Sequence, residues 1–310
     1  MPFKLIRGTF HVRNYSPDGD SIRFGPDDLG LLTSLSGPPA SVNSRGHVQL
    51  RIEAIDSLET HYSAAGGGTY HQPLELALDA AEGLIDFAAI TNVVWDSGHR
   101  SVVSADDGTR GYIASRSVEK NRRPVAFVFA GDPPEADGAD IFLGVDRLLQ
   151  SYNYSALRFG QAYATYYTGL FHDLRDALNQ AVDEARQNNR GIYKDDASNI
   201  GIDGSSLASI THQLPIMPKL FRRLTDYIVT HGNAVGFKQA MELSREPVLD
   251  LITSNFTHFD TFIEQAEGSS TVRLTRRPEE LVFDEMPARP SNTFSLMMES
   301  EAETSVSWPD

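Results

Sequence analysis

Arg51-Ile52-Glu53-Ala54-Ile55-Asp56-Ser57-Leu58-Glu59 is the stretch on which both the fold and the chemistry turn. From Gln49 onward, polar residues alternate with Leu50, Ile52, Ala54 and Ile55, a pattern that predicts a half-buried strand. One reading leaves Asp56 and Glu59 as solvated residues of the loop that follows. The other takes them with Arg51 as a chemical set. A guanidinium fork donates two hydrogen bonds to phosphoryl oxygens as charge gathers on them. An aspartate offers hard oxygens to a divalent ion, and a carboxylate within reach of a water can take its proton.

Upstream, Asp18-Gly19-Asp20-Ser21 supplies a matching piece. Alone, Asp-Gly between apolar flanks signals a type I' hairpin turn, because glycine accepts a positive φ. With Asp56, however, Asp20 makes a pair of carboxylates from separate strand ends, the donor type a hard ion takes.

In this order the motifs resemble the staphylococcal nuclease-like, or thermonuclease, domain family. Its pattern is a DGDT-type turn, then R-x-x-x-x-D-x-P-E, then a Y-G-R segment before a strand, then an asparagine near the next helix. Asp18, Asp20, Arg51, Asp56 and Glu59 fall on that pattern without a spacing change inside either motif. Glu119-Lys120-Asn121-Arg122-Arg123, followed by Pro124 to Phe129, is similar to the third element. Arg123 is thereby the second phosphate-binding arginine, with Arg110 in Gly108-Thr109-Arg110-Gly111-Tyr112 as a rival. Asn153, Arg158, Gly160, Ala162 and Tyr166 keep one constant offset from the family, continued by Leu178 and Ile192-Tyr193. The resemblance covers about residues 1–196. Leu58 replaces the family's proline, Ser21 its threonine and Arg122 its glycine. No catalytic group is lost, but the missing proline leaves open how firmly Glu59 is held.

The resemblance implies an α+β fold, an OB-fold five-stranded β-barrel with packed helices. It also implies Ca2+, with Mg2+ or Mn2+ as substitutes, held by Asp20, Asp56 and the Ser57 carbonyl with Asp18 in support. Arg51, Glu59 and Arg123 become the catalytic residues. Tyr166 lines the nucleotide pocket, or else packs between helix and barrel; Tyr163 and Tyr167 are left undecided. The implied activity is hydrolysis of DNA or RNA with little sequence preference, leaving 3'-phosphate ends. Two alternatives stand beside it: a barrel that binds nucleic acid or protein without catalysis, and a nuclease recruited by a partner through its C-terminal part.

Around these motifs the chain reads as strands at Phe3 to Val12, Ser21 to Phe24 and Val48 to Ile55, then a Gly-rich loop from Ser63 to Tyr70. Pro73 starts a helix with Leu74, Ala77, Leu78, Ala81, Leu84 and Ile85 at helical period, and another helix runs from about Leu174 to Asn188. Insertions are expected at about 25–46, 90–108 (a hairpin) and 131–150. A Gly/Ser-rich linker near Asn199 to Ser206 leads into a mainly helical C-terminal unit, about 197–286. One of its helices is marked by Leu220, Phe221, Leu224 and Ile228, another by Val248, Leu251, Ile252, Phe259, Phe262 and Ile263, before a hairpin around Pro278. A protein partner or a second copy docking through residues 200–286 is one use for this unit; buttressing the barrel is the other. Residues 287–310 read as a disordered acidic tail.

A net charge of -15 argues against a large sequence-independent grip on DNA or RNA, which needs many basic contacts. It leaves room for a short single-stranded substrate at a local basic site. There is no cysteine, hence no disulfide or thiol ligand. The nine histidines show no metal-binding spacing; His47, His61, His71 and His172 read as surface or packing residues. With no apolar run for a signal peptide and none for a membrane span, a cytoplasmic location is expected unless a leader was removed.

Overall fold

The structure is a computed structural model that describes residues 2–284; the tail expectation for 287–310 lies outside the described residues. The N-terminal part carries β1 (Phe3–His11), β2 (Arg23–Pro26), β3 (Val48–Gln49), β4 (Arg51–Ile52) and β5 (Ile55–Ser57). Two hairpins flank helix α1 (Leu74–Phe87): β6 (Tyr62–Ser63) with β7 (Thr69–Tyr70), and β8 (Thr91–Trp95) with β9 (Val102–Asp106). Then come β10 (Thr109–Val118), β11 (Pro124–Ala130), β12 (Asp140–Ile141), α2 (Val145–Leu148), α3 (Tyr152–Arg158), β13 (Ala162–Ala164), β14 (Tyr166–Tyr167) and α4 (His172–Gln187).

The main sheet runs in the order β3-β2-β1-β10-β11-β4, with β12 on the flank of β1. Its two ends are β3 and β4, which only Leu50 separates. One extended run therefore pairs antiparallel with β2 on one side and parallel with β11 on the other, so the sheet nearly closes on itself. This is an α+β architecture around a barrel-like sheet, compatible with an OB-like fold. The strand period explains the run. Val48, Leu50 and Ile52 are fully buried among the barrel's aromatic and aliphatic residues, while Gln49 and Arg51 point the other way, toward the cavity described below. The β8–β9 hairpin falls where the insertion at 90–108 is expected, and α1 and α4 match the periodicity.

The C-terminal unit departs from the mainly helical expectation. Among the described residues it has the helices α5 (Leu207–His212), α6 (Pro218–His231) and α7 (Phe237–Ser244). It also carries strands β15 (Ile202–Asp203), β16 (Pro247–Asp250), β17 (Asn255–His258), β18 (Ile263–Glu264), β19 (Thr271–Leu274) and β20 (Leu281–Phe283). The second expected helix is the β16–β17 hairpin followed by a 3-10 turn at Phe259–Phe262. Its apparent helical period arose from laying two short strands end to end; within β16 alone, Val248 and Asp250 are buried in alternation, the strand period. The hairpin expected around Pro278 is also corrected. β19 pairs with β15 and β18, whereas a 3-10 turn at Pro278–Glu280 sends β20 to β14 and β16. The expected linker is structured, since Ile202 pairs with Val272 and the Asn199 amide donates to the Leu274 and Arg276 carbonyls.

A second apolar core, built on Leu220, Phe221, Leu224, Phe237, Phe259 and Phe283, stands beside that of the barrel. The two parts are joined by buried polar contacts. Arg186 on α4 donates to Glu279 at 2.7 Å, and the fully buried Gln72 side chain donates to the Ile216 carbonyl at 2.8 Å. Among the described residues no helix is long and apolar enough to cross a membrane.

Candidate functional site

The Asp18 turn is tight. Asp18 N–H donates to the Ser21 carbonyl at 3.3 Å, Ser21 N–H returns to the Asp18 carbonyl at 3.4 Å, and Ser21 Oγ donates to Asp18 Oδ1 at 2.9 Å. Gly19 is not among the residues with positive φ, so a type I' conformation is not what it provides. It provides space. A Cβ there would sit 2.6 Å from the Ala80 Cβ on α1 and 2.8 Å from the Ser57 Cβ. The buried Tyr152 hydroxyl then pins the turn by donating to the Gly19 carbonyl at 2.9 Å.

The strand after it is fixed by Asn153, fully buried on α3. Its side chain accepts from Val128 N–H at 3.0 Å and donates to the Glu53 carbonyl at 2.7 Å, tying β11 to the Arg51 run. Asp56 lies on β5 opposite Tyr163, and Ser57 N–H donates weakly, at 3.4 Å, to Asp20 Oδ2. Glu59 is held without the family's proline. Leu58 is fully buried, and Gln72 grips the Glu59 peptide from both sides, accepting from its N–H at 3.2 Å and donating its own main-chain N–H to its carbonyl at 2.9 Å.

These elements bring Asp18, Asp20, Arg51, Asp56, Glu59 and Arg123 onto one cavity of about 420 Å3. Ser57 backs it from β5. Arg123, in the β10–β11 turn, is steered by Glu119, to which its Nε donates at 3.0 Å. Arg122 beside it has φ +64°, the backbone for which the family's glycine is suited, and turns away to the Pro39 carbonyl. The rival Arg110 is elsewhere, bound to Asp27 at 2.8 Å and to Asp132. The expectation for Tyr166 is corrected: it is fully buried and donates to Asn179 Oδ1 at 2.6 Å. Strand alternation puts Tyr167 on the cavity instead, with the Arg51 guanidinium carbon 5.0 Å from its ring centre. His61, read as a surface residue, also lines the cavity, as does Asn121.

Sequence reasoning missed the contribution of α6. Lys219, Arg222 and Arg223 all reach the cavity from the C-terminal unit. Arg222 Nη1 and Nη2 donate to the two oxygens of Asp56 at 3.1 and 2.7 Å, and Nη1 also donates to Glu59 Oε1. Lys219 pairs with Glu246 at 2.6 Å, and Arg223 with the same carboxylate at 3.1 Å. The available signal was three cations within five residues beside the apolar stripe of Leu220, Phe221 and Leu224, in a chain of net charge -15. A second cavity of about 360 Å3 opens from the same basic wall, with Lys120 and Arg123 on one side and Lys219 and Arg223 on the other.

The electrostatics divide the carboxylates. Burial raises Asp20 well above the usual range, and the neighbouring charges of Asp18 and Asp56 add to this against Arg51. Asp18 is raised by burial and by Glu59. Burial would also raise Asp56, but the charge and hydrogen bonds of Arg222, with Arg51 and Lys219 behind them, hold it low. Glu59 is pushed up to about 7, mainly by burial, because Arg222 gives its two-pronged contact to Asp56 and only one bond to Glu59. A carboxylate poised there exchanges protons with water near neutral pH.

Among the described residues no three His, Cys, Asp or Glu side chains converge as a metal-holding group. Both oxygens of Asp56, the best placed ligand, are held in the Arg222 fork. As arranged, the set does not fit a divalent ion. No protein-family model matches this chain and no curated protein matches its sequence, so the family resemblance rests on the motifs and on where the fold places them.

Proposed function

We propose that this chain is a phosphodiesterase with a staphylococcal nuclease-like barrel, which hydrolyses single strands of DNA or RNA with little sequence preference. The observation that carries the reading is the meeting, on one cavity, of two phosphate-type arginines, Arg51 and Arg123, with the near-neutral carboxylate Glu59. Arg51 and Arg123 hold the phosphoryl oxygens and stabilise charge that grows on them as the bond order changes. Glu59 takes a proton from water as the water oxygen attacks phosphorus in line, and the 5' oxygen leaves and is protonated from solvent. Tyr167 is an aromatic of the cavity whose ring is already met by Arg51 and Lys219, and a base on the strand stacks against that group. α6 adds Lys219, Arg222 and Arg223 to the cavity wall, a local basic lining that suits a short single strand.

The test is cleavage of a fluorescent single-stranded DNA and a matching RNA in Ca2+, Mg2+, Mn2+ or EDTA. Wild-type protein should cut, and Glu59→Gln should lose about a hundredfold or more in rate. Equal rates for the two proteins would remove Glu59 as the base. A second reading, a barrel that binds strands without cutting them, is favoured by the Arg222 bond to Glu59, which occupies an oxygen of the base. Tight oligonucleotide binding with no turnover under any condition would select it.

A further inference from the structure

We propose that Arg222 is the resident cation of this carboxylate cluster, filling from the C-terminal unit the place that a divalent ion takes among such carboxylates, so that the site needs no ion of its own. The inference deepens the phosphodiesterase reading and rests on it only for the chemistry served, not for where the positive charge sits.

Three observations carry it. The first is the contact itself: a planar fork takes both oxygens of Asp56, a residue only 1% exposed, and bridges to Glu59. Asp56 sits too deep to be left charged without a partner, and a guanidinium, unlike a bound ion, never dissociates. A hard ion would need several oxygens freed from that fork while its charge was repelled by it.

The second is the rigidity of delivery. α6 buries Phe221, Leu224 and Ile228 in the second core. One turn beyond Arg222, Asp226 accepts hydrogen bonds from the Tyr62 hydroxyl at 2.8 Å and the Ala65 N–H at 2.9 Å, both from the β6–β7 hairpin. The helix is thus stitched to the segment that follows Glu59.

The third is the division of labour along the helix. Lys219 and Arg223 share Glu246 as their carboxylate, whereas among the described residues the ion-pair partners of Arg222 are the site residues Asp56 and Glu59. It acts through Asp56 and Glu59 and is therefore a positioning residue.

The test uses the full chain stripped with EDTA and titrated with CaCl2 or MnCl2, read by calorimetry and thermal unfolding. Wild-type protein should take up neither ion, its Tm unmoved at about 5 mM, whereas Arg222→Gln, with the cluster unfilled, should gain about 5 °C or more from the ion. Arg222→Lys, which keeps the charge, should stay insensitive. Saturable Ca2+ uptake by the wild type, lost in Asp56→Asn, would overturn the proposal, as would a folded Arg222→Gln with unchanged Tm and no gain in ion uptake. The wild-type titration stands even if Arg222→Gln does not fold. Where the protein cuts strands, EDTA should leave the rate unchanged; a rate abolished by EDTA and restored by Ca2+ overturns the proposal. If it cuts nothing, the phosphodiesterase reading fails alone and the titration still decides the place of Arg222.

Discussion

Replacing Gln72 with leucine tests how the base is held and how the two parts of the chain are joined. Gln72 is fully buried, and its side chain accepts from the Glu59 N–H at 3.2 Å while donating to the Ile216 carbonyl at 2.8 Å. Leucine has a similar volume and keeps the main-chain bond from residue 72 to the Glu59 carbonyl, so the substitution removes those two bonds and little else. The Ile216 carbonyl, stranded in a buried setting, costs about 1–3 kcal/mol. The Glu59 N–H, partly reached by water, adds about 0.5–1.5 kcal/mol. Urea unfolding of the full chain should therefore show a loss of about 1.5–4.5 kcal/mol, seen as a lower midpoint at unchanged slope. Because the peptide of the base is loosened, kcat should fall more than KM rises. A Gln72→Leu protein with the wild-type midpoint would refute the bridging role, and a wild-type kcat would refute the positioning of Glu59 by it.

Other consequences are as direct. Tyr167→Ala should weaken binding of a short single strand by about tenfold in fluorescence anisotropy, whereas Tyr166→Phe should leave binding alone and cost about 1 kcal/mol of stability through the lost bond to Asn179. Glu59 must be ionised to accept a proton, and it sits at about 7, so kcat/KM should rise with pH up to about 7 and then level, a limb absent from Glu59→Gln; a flat profile between pH 5 and about 8 would refute this. Gly19→Ala should cost about 1–3 kcal/mol by thermal unfolding, because its Cβ meets Ala80 and Ser57 inside contact distance. A neutral Gly19→Ala would mean that the turn is not packed against α1.

Much of the barrel was legible because short-range pattern determines it. The apolar run from Val125 to Phe129 and the helical face after Pro73 each correspond to an element of the expected kind, while the strand expected from Val48 to Ile55 is broken into β3, β4 and β5, with a turn at Glu53-Ala54, where Ala54 has φ +67°, between β4 and β5. Asp20, Arg51, Asp56, Glu59 and Arg123 line one cavity, Asp20 and Arg123 from turns, Arg51 from β4 and Asp56 from β5, which lies outside the closing sheet. What was illegible is non-local. Tyr166 and Tyr167 differ by one step of strand alternation, and only the pairing of β14 with β20 decides which of them faces inward. Arg222 joins Asp56 across 166 positions of sequence, beyond any periodicity. In the C-terminal unit, strands of two to four residues are too short to show a period of their own, and juxtaposed they imitate a helix.

That long reach of Arg222 has a consequence for the order in which the molecule assembles. A ribosome releases the barrel segments well before α6, so Asp56 and Glu59 emerge long before the guanidinium that pairs with them. Until residue 222 arrives, the buried Asp56 carboxylate lacks the two-pronged partner it has in the finished fold. Docking of α6 is thus an electrostatic latch as well as an apolar one, and a newborn chain cannot complete this cavity until that helix has emerged.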